Sequence, residues 1–341
     1  MRILPAATIA ATLMFPTLLR DSADTVARTG QISYALPADY EPVQQLLLPW
    51  HDEYAAFFVD VAAAAQGHVE LVVVLDITQD PDETVRDLAT AGLQPGDYEL
   101  VVVPIETMWL RDFGPLITRA SDGQRGIVDT RYFSRGDDDE VPYALAEQLW
   151  PDIPIVDTDV QIEGGNLLSD GAGRCVTTTL TFESLDRDQR RAARRQLRAR
   201  LGCHRLIVLE RLFGESTGHV DVFAIISGPR RIVLGDYDRR VDPENAAVLD
   251  RNAARLRRAG FTVDRIPMPS NTDGAYRTYT NAVLINDVVL APVYADDRSV
   301  EDDALAVLRY AFPNRAVVPV DATSIIQLAG AIHCATMTVA R

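Results

Sequence analysis

Continuous apolar runs decide the fold class of this chain. Leu71–Leu75, Leu100–Val103 and Leu206–Leu209 are β-branched stretches of strand length without polar alternation, the pattern of strands buried on both faces. Segments of helical periodicity lie between and beyond them, at Asp82–Ala91, Tyr143–Trp150, Asp186–Leu201, Glu244–Ala259 and Glu301–Ala311. Several of these open on acidic residues, and two close on Gly202 or Gly260, the usual start and stop signals. The chain therefore reads as α/β from end to end. The helical segments recur at intervals of roughly 40–60 residues, which predicts five similar βαβ-type modules in a closed pseudo-fivefold ring or an open sheet.

No Pro-, Gly- or Ser-rich linker divides the chain, so a single domain over residues 36–341 is expected. Residues 1–27, a single Arg2 followed by an apolar run to Leu19, read as a signal peptide or an unstructured terminus. The chain is then cytoplasmic or exported, and soluble in either case. No stretch is long enough to span a membrane.

Composition removes several mechanisms. All 33 basic residues are arginine, and without lysine a phosphate-binding loop, a pyridoxal phosphate aldimine and any lysine Schiff base are excluded. A formal charge of -16 disfavours nucleic acid and anionic membranes and favours cationic ligands. Cys175, Cys203 and Cys334 lack the CxxC spacing of a zinc or dithiol site. Cys175 and Cys203 read as small buried apolar residues, with pairing as the alternative if the chain is exported.

Four polar junctions carry the candidate chemistry, since loops after buried strands are where α/β proteins place their sites. Trp109-Leu110-Arg111-Asp112-Phe113-Gly114-Pro115 sets an Arg-Asp pair between aromatics. Alone it also reads as an ion pair in a turn. Glu163-Gly164-Gly165-Asn166 places a carboxylate and an amide beside two glycines that let backbone approach a ligand; a bulge or hairpin explains the same letters. His219 and Asp221 in Gly218-His219-Val220-Asp221 would share one face of a strand and suit acid-base work. Gly330-Ala331-Ile332-His333-Cys334 puts a thiol beside an imidazole, a reactive or an inert buried cysteine.

In this order the four blocks resemble the agmatine deiminase and bacterial-type peptidylarginine deiminase family of guanidino-modifying enzymes, and Pro37-Ala38-Asp39-Tyr40-Glu41-Pro42 is similar to that family's usual opening. The resemblance covers about residues 36–341. It implies a pseudo-fivefold α/β propeller (pentein) of ββαβ-type modules with the active site on its axis. It also implies a hydrolase that deiminates agmatine or an arginine-like guanidinium to a ureido product and ammonia, needing neither metal nor organic cofactor. Cys334 would be the nucleophile and His219 the acid and base, oriented by Glu163, with Asp112 and Asp221 accepting the guanidinium N–H groups. Trp109 and Asn166 would shape the substrate channel, Asn281 would face the site, and Arg111 would support its loop.

Two departures bear on substrate. Agmatine-specific members more often carry Asn before the glycine and Ile after the histidine of the third block, where this chain has Thr217 and Val220. After the cysteine they tend to read Ile-Thr-Gln-Gln, here Ala335-Thr336-Met337-Thr338. These changes, with the leader, raise peptide or protein arginine as the alternative to agmatine and its place in putrescine and polyamine biosynthesis. Expected partners are thus a small cationic guanidino substrate or an arginine peptide, with homo-oligomerisation left open. The rival classes are an amidinotransferase using the same residues and a propeller that binds cations without turnover.

Overall fold

The structure, a computed structural model, describes residues 33–132 and 136–341. The expected leader, 1–27, lies outside the described residues. Strands β1 (Tyr34–Ala35) and β2 (Val43–Pro49) precede α1 (Ala55–Ala65), β3 (Glu70–Asp76), α2 (Pro81–Thr90) and β4 (Tyr98–Val103). One helical turn, α3 (Leu110–Phe113), leads to β5 (Leu116–Ala120), β6 (Arg125–Arg131), α4 (Val141–Leu149) and β7 (Ile155–Gln161). Then come β8 (Leu168–Ser169), β9 (Arg174–Thr178), the short α5 (Leu180–Glu183), α6 (Arg187–Arg200) and β10 (Arg205–Leu209). They are followed by β11 (Ala224–Gly228), β12 (Arg231–Asp236), α7 (Pro243–Arg258) and β13 (Thr262–Pro267). The last are β14 (Val283–Ile285), β15 (Val288–Val293), α8 (Glu301–Ala311), β16 (Ala316–Asp321) and β17 (Met337–Ala340).

These strands form five sheets among the described residues, ordered β1-β5-β6-β7, β10-β9-β8, β11-β12-β13, β14-β15-β16 and β17-β2-β3-β4. Each repeats one motif, an antiparallel pair followed by a helix that returns the chain to a parallel strand, as in β11, β12, α7 and β13. The fold is the expected pseudo-fivefold α/β propeller. The ring is closed by the two ends of the domain, since β17 pairs antiparallel with β2 and sets Met337 opposite Leu47.

That closure corrects the assignment of the first module helix. The repeating unit is β17, β2, α1 and β3, so α1 is its helix, whereas the predicted segment at 82–91 is α2 and leads to an additional parallel strand, β4. Ala55–Ala65 is apolar nearly all round and buries Phe57, Phe58, Val61, Ala62 and Ala65, so it has no polar stripe by which periodicity reveals a helix. Contrast α6, where Asp186 and Gln189 close a capping box and only Ala193 and Leu197 are buried. There one narrow apolar face and an arginine-rich solvent face make the helix legible. Strand β3 buries every residue from Leu71 to Leu75, as an interior parallel strand requires.

Cys175 and Cys203 are buried, as expected, but are joined in a disulfide, which corrects their reading as separate apolar residues. The register of β9 and β10 sets Cys175 opposite Leu206. Cys203, three residues earlier, is thereby brought to a Cα separation of 5.3 Å, within bonding range. Among the described residues no helix is long and apolar enough to cross a membrane.

Candidate active site

Each link between successive modules supplies one part of a single site. Trp109 and Asp112 stand between β4 and β5, Glu163 and Gly165 between β7 and β8, and His219 and Asp221 between β10 and β11. Asn281 stands between β13 and β14, and Cys334 between β16 and β17. Five-fold repetition thus converts five distant loops into neighbours on one axis.

Local structure explains how each side chain is aimed. Arg111 and Asp112 share the turn of α3 but form no ion pair with each other. Arg111 is 5% exposed and turns to the Cys334 loop, where its Nε donates to the His333 carbonyl at 3.4 Å, its Nη2 to Thr338 Oγ1 at 3.4 Å and its backbone N–H to the Cys334 carbonyl at 3.2 Å. Gly164–Asn166 is a 3-10 turn, not a hairpin. Asn166 Oδ1 accepts from the Thr178 N–H at 3.2 Å and its Nδ2 donates to Thr181 Oγ1 at 3.3 Å, so its amide pins the end of β9. The indole of Trp109 lies on Gly330, where a Cβ would fall 2.1 Å from the ring.

His219 and Asp221 do not lie on a strand, because β11 begins only at Ala224. The buried Glu215 carboxylate accepts from the N–H groups of Thr217 at 2.8 Å and Gly218 at 2.7 Å, and Gly218 then adopts φ +69°, a conformation that favours glycine. The Asp221 N–H donates to the Gly165 carbonyl at 3.2 Å. A looped backbone, not alternation along a strand, brings imidazole and carboxylate to the same spot.

That spot lies over Gly165. A Cβ there would approach Asp112 Oδ1 to 2.7 Å, His219 Nδ1 to 2.9 Å and Asp221 Oδ2 to 3.1 Å. Buried without hydrogen-bond partners are Asp112 Oδ1, His219 Nδ1 and Asp221 Oδ1. His219 Nδ1 comes within 3.5 Å of Asp112 Oδ1, an ion-pair distance that lacks hydrogen-bond geometry. The other imidazole nitrogen, Nε2, donates to Glu163 Oε2 at 2.6 Å. Buried polar atoms are normally satisfied, so an orphaned atom on each of three side chains that converge over Gly165 marks where a polar ligand belongs. Cys334, 3% exposed, takes a hydrogen bond from Asn281 Nδ2 at 3.1 Å and donates its S–H towards Asp221 Oδ2 at 3.6 Å. Asn281 Oδ1 also holds the Cys334 N–H at 3.2 Å.

The charges around this point differ in stability. Burial pushes Asp112 up to about 7, helped by Glu163 and Asp221 and opposed by His219. Burial alone would lower His219, but Asp112, the Glu163 hydrogen bond and Asp221 raise it to about 10. Asp221 stays below the ordinary carboxylate range in spite of burial, because His333, His219 and Arg111 face it. Burial, then Asp221 and Asp112, push the Cys334 thiol well above its usual value. The site is therefore a thiol, an imidazolium and carboxyl groups whose charge favours a cationic ligand.

Asp112→Asn and Asp221→Asn should each lower kcat/KM by at least about 2 kcal/mol, roughly thirtyfold, as each removes a charged acceptor. Near-normal kinetics in either variant would remove that residue from the site. Asp112 also carries a stability signature. Its folded pKa lies above the unfolded value, so its favourable contribution is complete below pH ~4 and lost as pH rises through about 7. Above that the charged, buried carboxyl costs on the order of 4 kcal/mol. Asp112→Asn should therefore unfold at a higher temperature than the parent at pH 8, the gap closing towards pH 4.

Two residues facing the site were not assigned from sequence. Tyr132 packs on Phe113 at 5.2 Å between ring centres, and its phenol is raised by burial and by the charges of Asp112 and Glu163. His333 contacts Asp221. For Tyr132 no local motif gives a signal; for His333 the only one is its position beside Cys334.

The chain is similar to known proteins over most of its length. A curated agmatine deiminase from Medicago truncatula is 24% identical, the alignment covering 89% of this chain and 95% of that protein. A solved structure from Porphyromonas gingivalis, provisionally named an arginine deiminase, superposes with a TM-score of 0.79 at 26% identity, covering 90% of this chain and 98% of that one. The agmatine deiminase of C. jejuni has the same fold, with a TM-score of 0.77 at 20% identity, covering 93% and 99%. The sequence profile of one family spans residues 29–339, nearly the whole described domain, and by that match the chain belongs to the Porphyromonas-type peptidyl-arginine deiminase family.

Proposed function

We propose that this chain is a hydrolase that deiminates a guanidinium substrate to a ureido product and ammonia, with Cys334 as nucleophile. The observation that carries the proposal is that Asp112 and Asp221, whose carboxyls converge over Gly165 beside the Cys334 thiol, each keep one buried oxygen, Oδ1, without a hydrogen-bond partner. A planar cation with paired N–H donors satisfies both carboxylates at once and offsets their charge.

Binding of the cation favours loss of the Cys334 thiol proton to solvent, and the thiolate attacks the central carbon to give a tetrahedral adduct. The His219 imidazolium donates its proton to the departing nitrogen, which leaves as ammonia, and a thiouronium remains on sulfur. Neutral His219, held by Glu163, then deprotonates a water that attacks the same carbon. Breaking of the C–S bond expels Cys334 as thiolate, and loss of the hydroxyl proton to solvent leaves the neutral ureido product. Asp112, Glu163 and His219 also bring ligand atoms within 4.8 Å of one another, a geometry open to a metal ion. The reaction proposed uses none of them as metal ligands.

The substrate proposed first is agmatine or a similar small guanidine. Peptide or protein arginine is the second reading, favoured by the Cys175–Cys203 disulfide, because such bonds persist in oxidising compartments and an exported enzyme meets arginine on polypeptides. A colorimetric ureido assay on agmatine, free arginine, a C-terminal arginine peptide and an internal arginine peptide, run with excess chelator, tests both. Ureido product from agmatine above all supports the first, and from a peptide above all the second. No product from any of the four sinks the deiminase reading.

The resting charge state makes a further expectation. Alkylation of Cys334 by neutral iodoacetamide should accelerate only above the reference thiol pKa of about 8.5 in free enzyme. A non-reactive guanidinium analogue should shift that profile to lower pH, because a bound cation stabilises the thiolate that Asp221 and Asp112 otherwise oppose. A free-enzyme profile centred well below 8.5, with the analogue only blocking access, would instead establish a resting thiolate–imidazolium pair.

A further inference from the structure

The reaction above employs His219 and leaves a second buried imidazole unused. His333 is 6% exposed, and its Nδ1–H donates to Asp221 Oδ2 at 2.7 Å. Its backbone is held at both ends, the N–H by the Asn281 carbonyl at 3.1 Å and the carbonyl by Arg111 Nε at 3.4 Å. The ring is therefore a fixed part of the site.

The two oxygens of Asp221 have different surroundings. Oδ2 has two donors, His333 Nδ1 at 2.7 Å and the Cys334 thiol at 3.6 Å, whereas Oδ1 has none. Only the first of these contacts has the length of a strong, charge-assisted hydrogen bond. We infer that His333 is a positioning residue. By occupying Oδ2 it fixes the rotation of the Asp221 carboxylate, which keeps Oδ1 free to accept from the guanidinium and leaves the Cys334 thiol weakly held. This rests on the guanidinium reading of the site.

Removal of that donor has a definite consequence. The carboxylate is then free to turn about its Cβ–Cγ bond, and its nearest remaining donor is the S–H of Cys334. An Asp221 engaged by the nucleophile neither receives the substrate cation in one orientation nor leaves the sulfur available. The effect falls on recognition of cations at Cys334 more than on the intrinsic accessibility of the thiol.

Two polar substitutions separate this role from simple packing. His333→Asn keeps an N–H close to the position of Nδ1, whereas His333→Gln carries its amide out to the position of Nε2 and leaves Oδ2 without a donor. The readout is the ratio of Cys334 inactivation rates with a cationic haloacetamidine and with neutral iodoacetamide, together with kcat/KM for the best ureido-forming substrate. The parent should prefer the cationic reagent. His333→Asn should keep that preference and retain kcat/KM within about fivefold, and His333→Gln should lose most of it and fall about thirtyfold or more in kcat/KM. Equal behaviour of the two variants, or a preserved cation preference in His333→Gln, overturns the role of His333 and leaves the site reading intact. A parent enzyme with no preference for the cationic reagent overturns the guanidinium reading and this inference with it.

Discussion

Cys334→Ala is expected to abolish ureido formation while leaving both the fold and the binding of substrate in place. Cys334 is the only free thiol among the described residues, since the other two cysteines are tied in a disulfide. Without it no covalent adduct can form, and the residual rate is that of a bound guanidinium facing water. The substitution shortens a side chain that is 3% exposed and costs one weak acceptor for Asn281 Nδ2. The Cys334 N–H contact to Asn281 Oδ1 does not depend on the side chain, so stability should change by about 1 kcal/mol or less. Both carboxylates remain, so titration calorimetry should still detect substrate. Turnover above about one per cent of the parent would be incompatible with covalent catalysis at Cys334.

Gly165→Ala should be nearly as damaging, for a steric reason. Its backbone is not in the left-handed region, so alanine is compatible with the local chain. The added methyl would, however, stand 2.7 Å from Asp112 Oδ1, 2.9 Å from His219 Nδ1 and 3.1 Å from Asp221 Oδ2. Asp112 Oδ1 ends a side chain that can swing aside, whereas His219 is held by Glu163 and Asp221 by His333, so folding tolerates the change only at some cost in stability. Catalysis does not, because all three groups must move from the place where the guanidinium lies. Misplacement of this order warrants an expected loss of about a thousandfold in kcat/KM, ~4 kcal/mol. Normal kinetics with a normal melting temperature would show that the ligand binds elsewhere.

The difference between these two positions illustrates what a sequence exposes. Cys334, His219, Asp221, Glu163 and Asp112 lie in polar, glycine-containing junctions at the ends of apolar runs, each of which alone also reads as structural; their ordered resemblance to a known family is what singled them out. The structure brings all five into one cluster of contacts, and Asn281 within hydrogen-bond reach of Cys334. The expectation for Asn166 was less specific, and its amide is spent on Thr178 and Thr181. For Gly165 the pair of glycines suggested close approach to a ligand, but not which atoms would meet.

By itself the sequence determined that the chain is α/β, that its modules repeat, and that lysine-dependent chemistry is absent. These follow from local properties: uninterrupted apolar runs demand burial on both faces, capped amphipathic segments demand helices, and composition is independent of shape. Only the tertiary structure decided that α1 and not α2 serves the first module, since that depends on β17 pairing with β2 across the whole domain. Tertiary structure likewise paired Cys175 with Cys203 through the register of two parallel strands. It also set His333, 112 positions from Asp221 in the chain, against that carboxylate. Partners of this kind are fixed by which loops meet on the axis, a property of the closed ring that no window of residues contains.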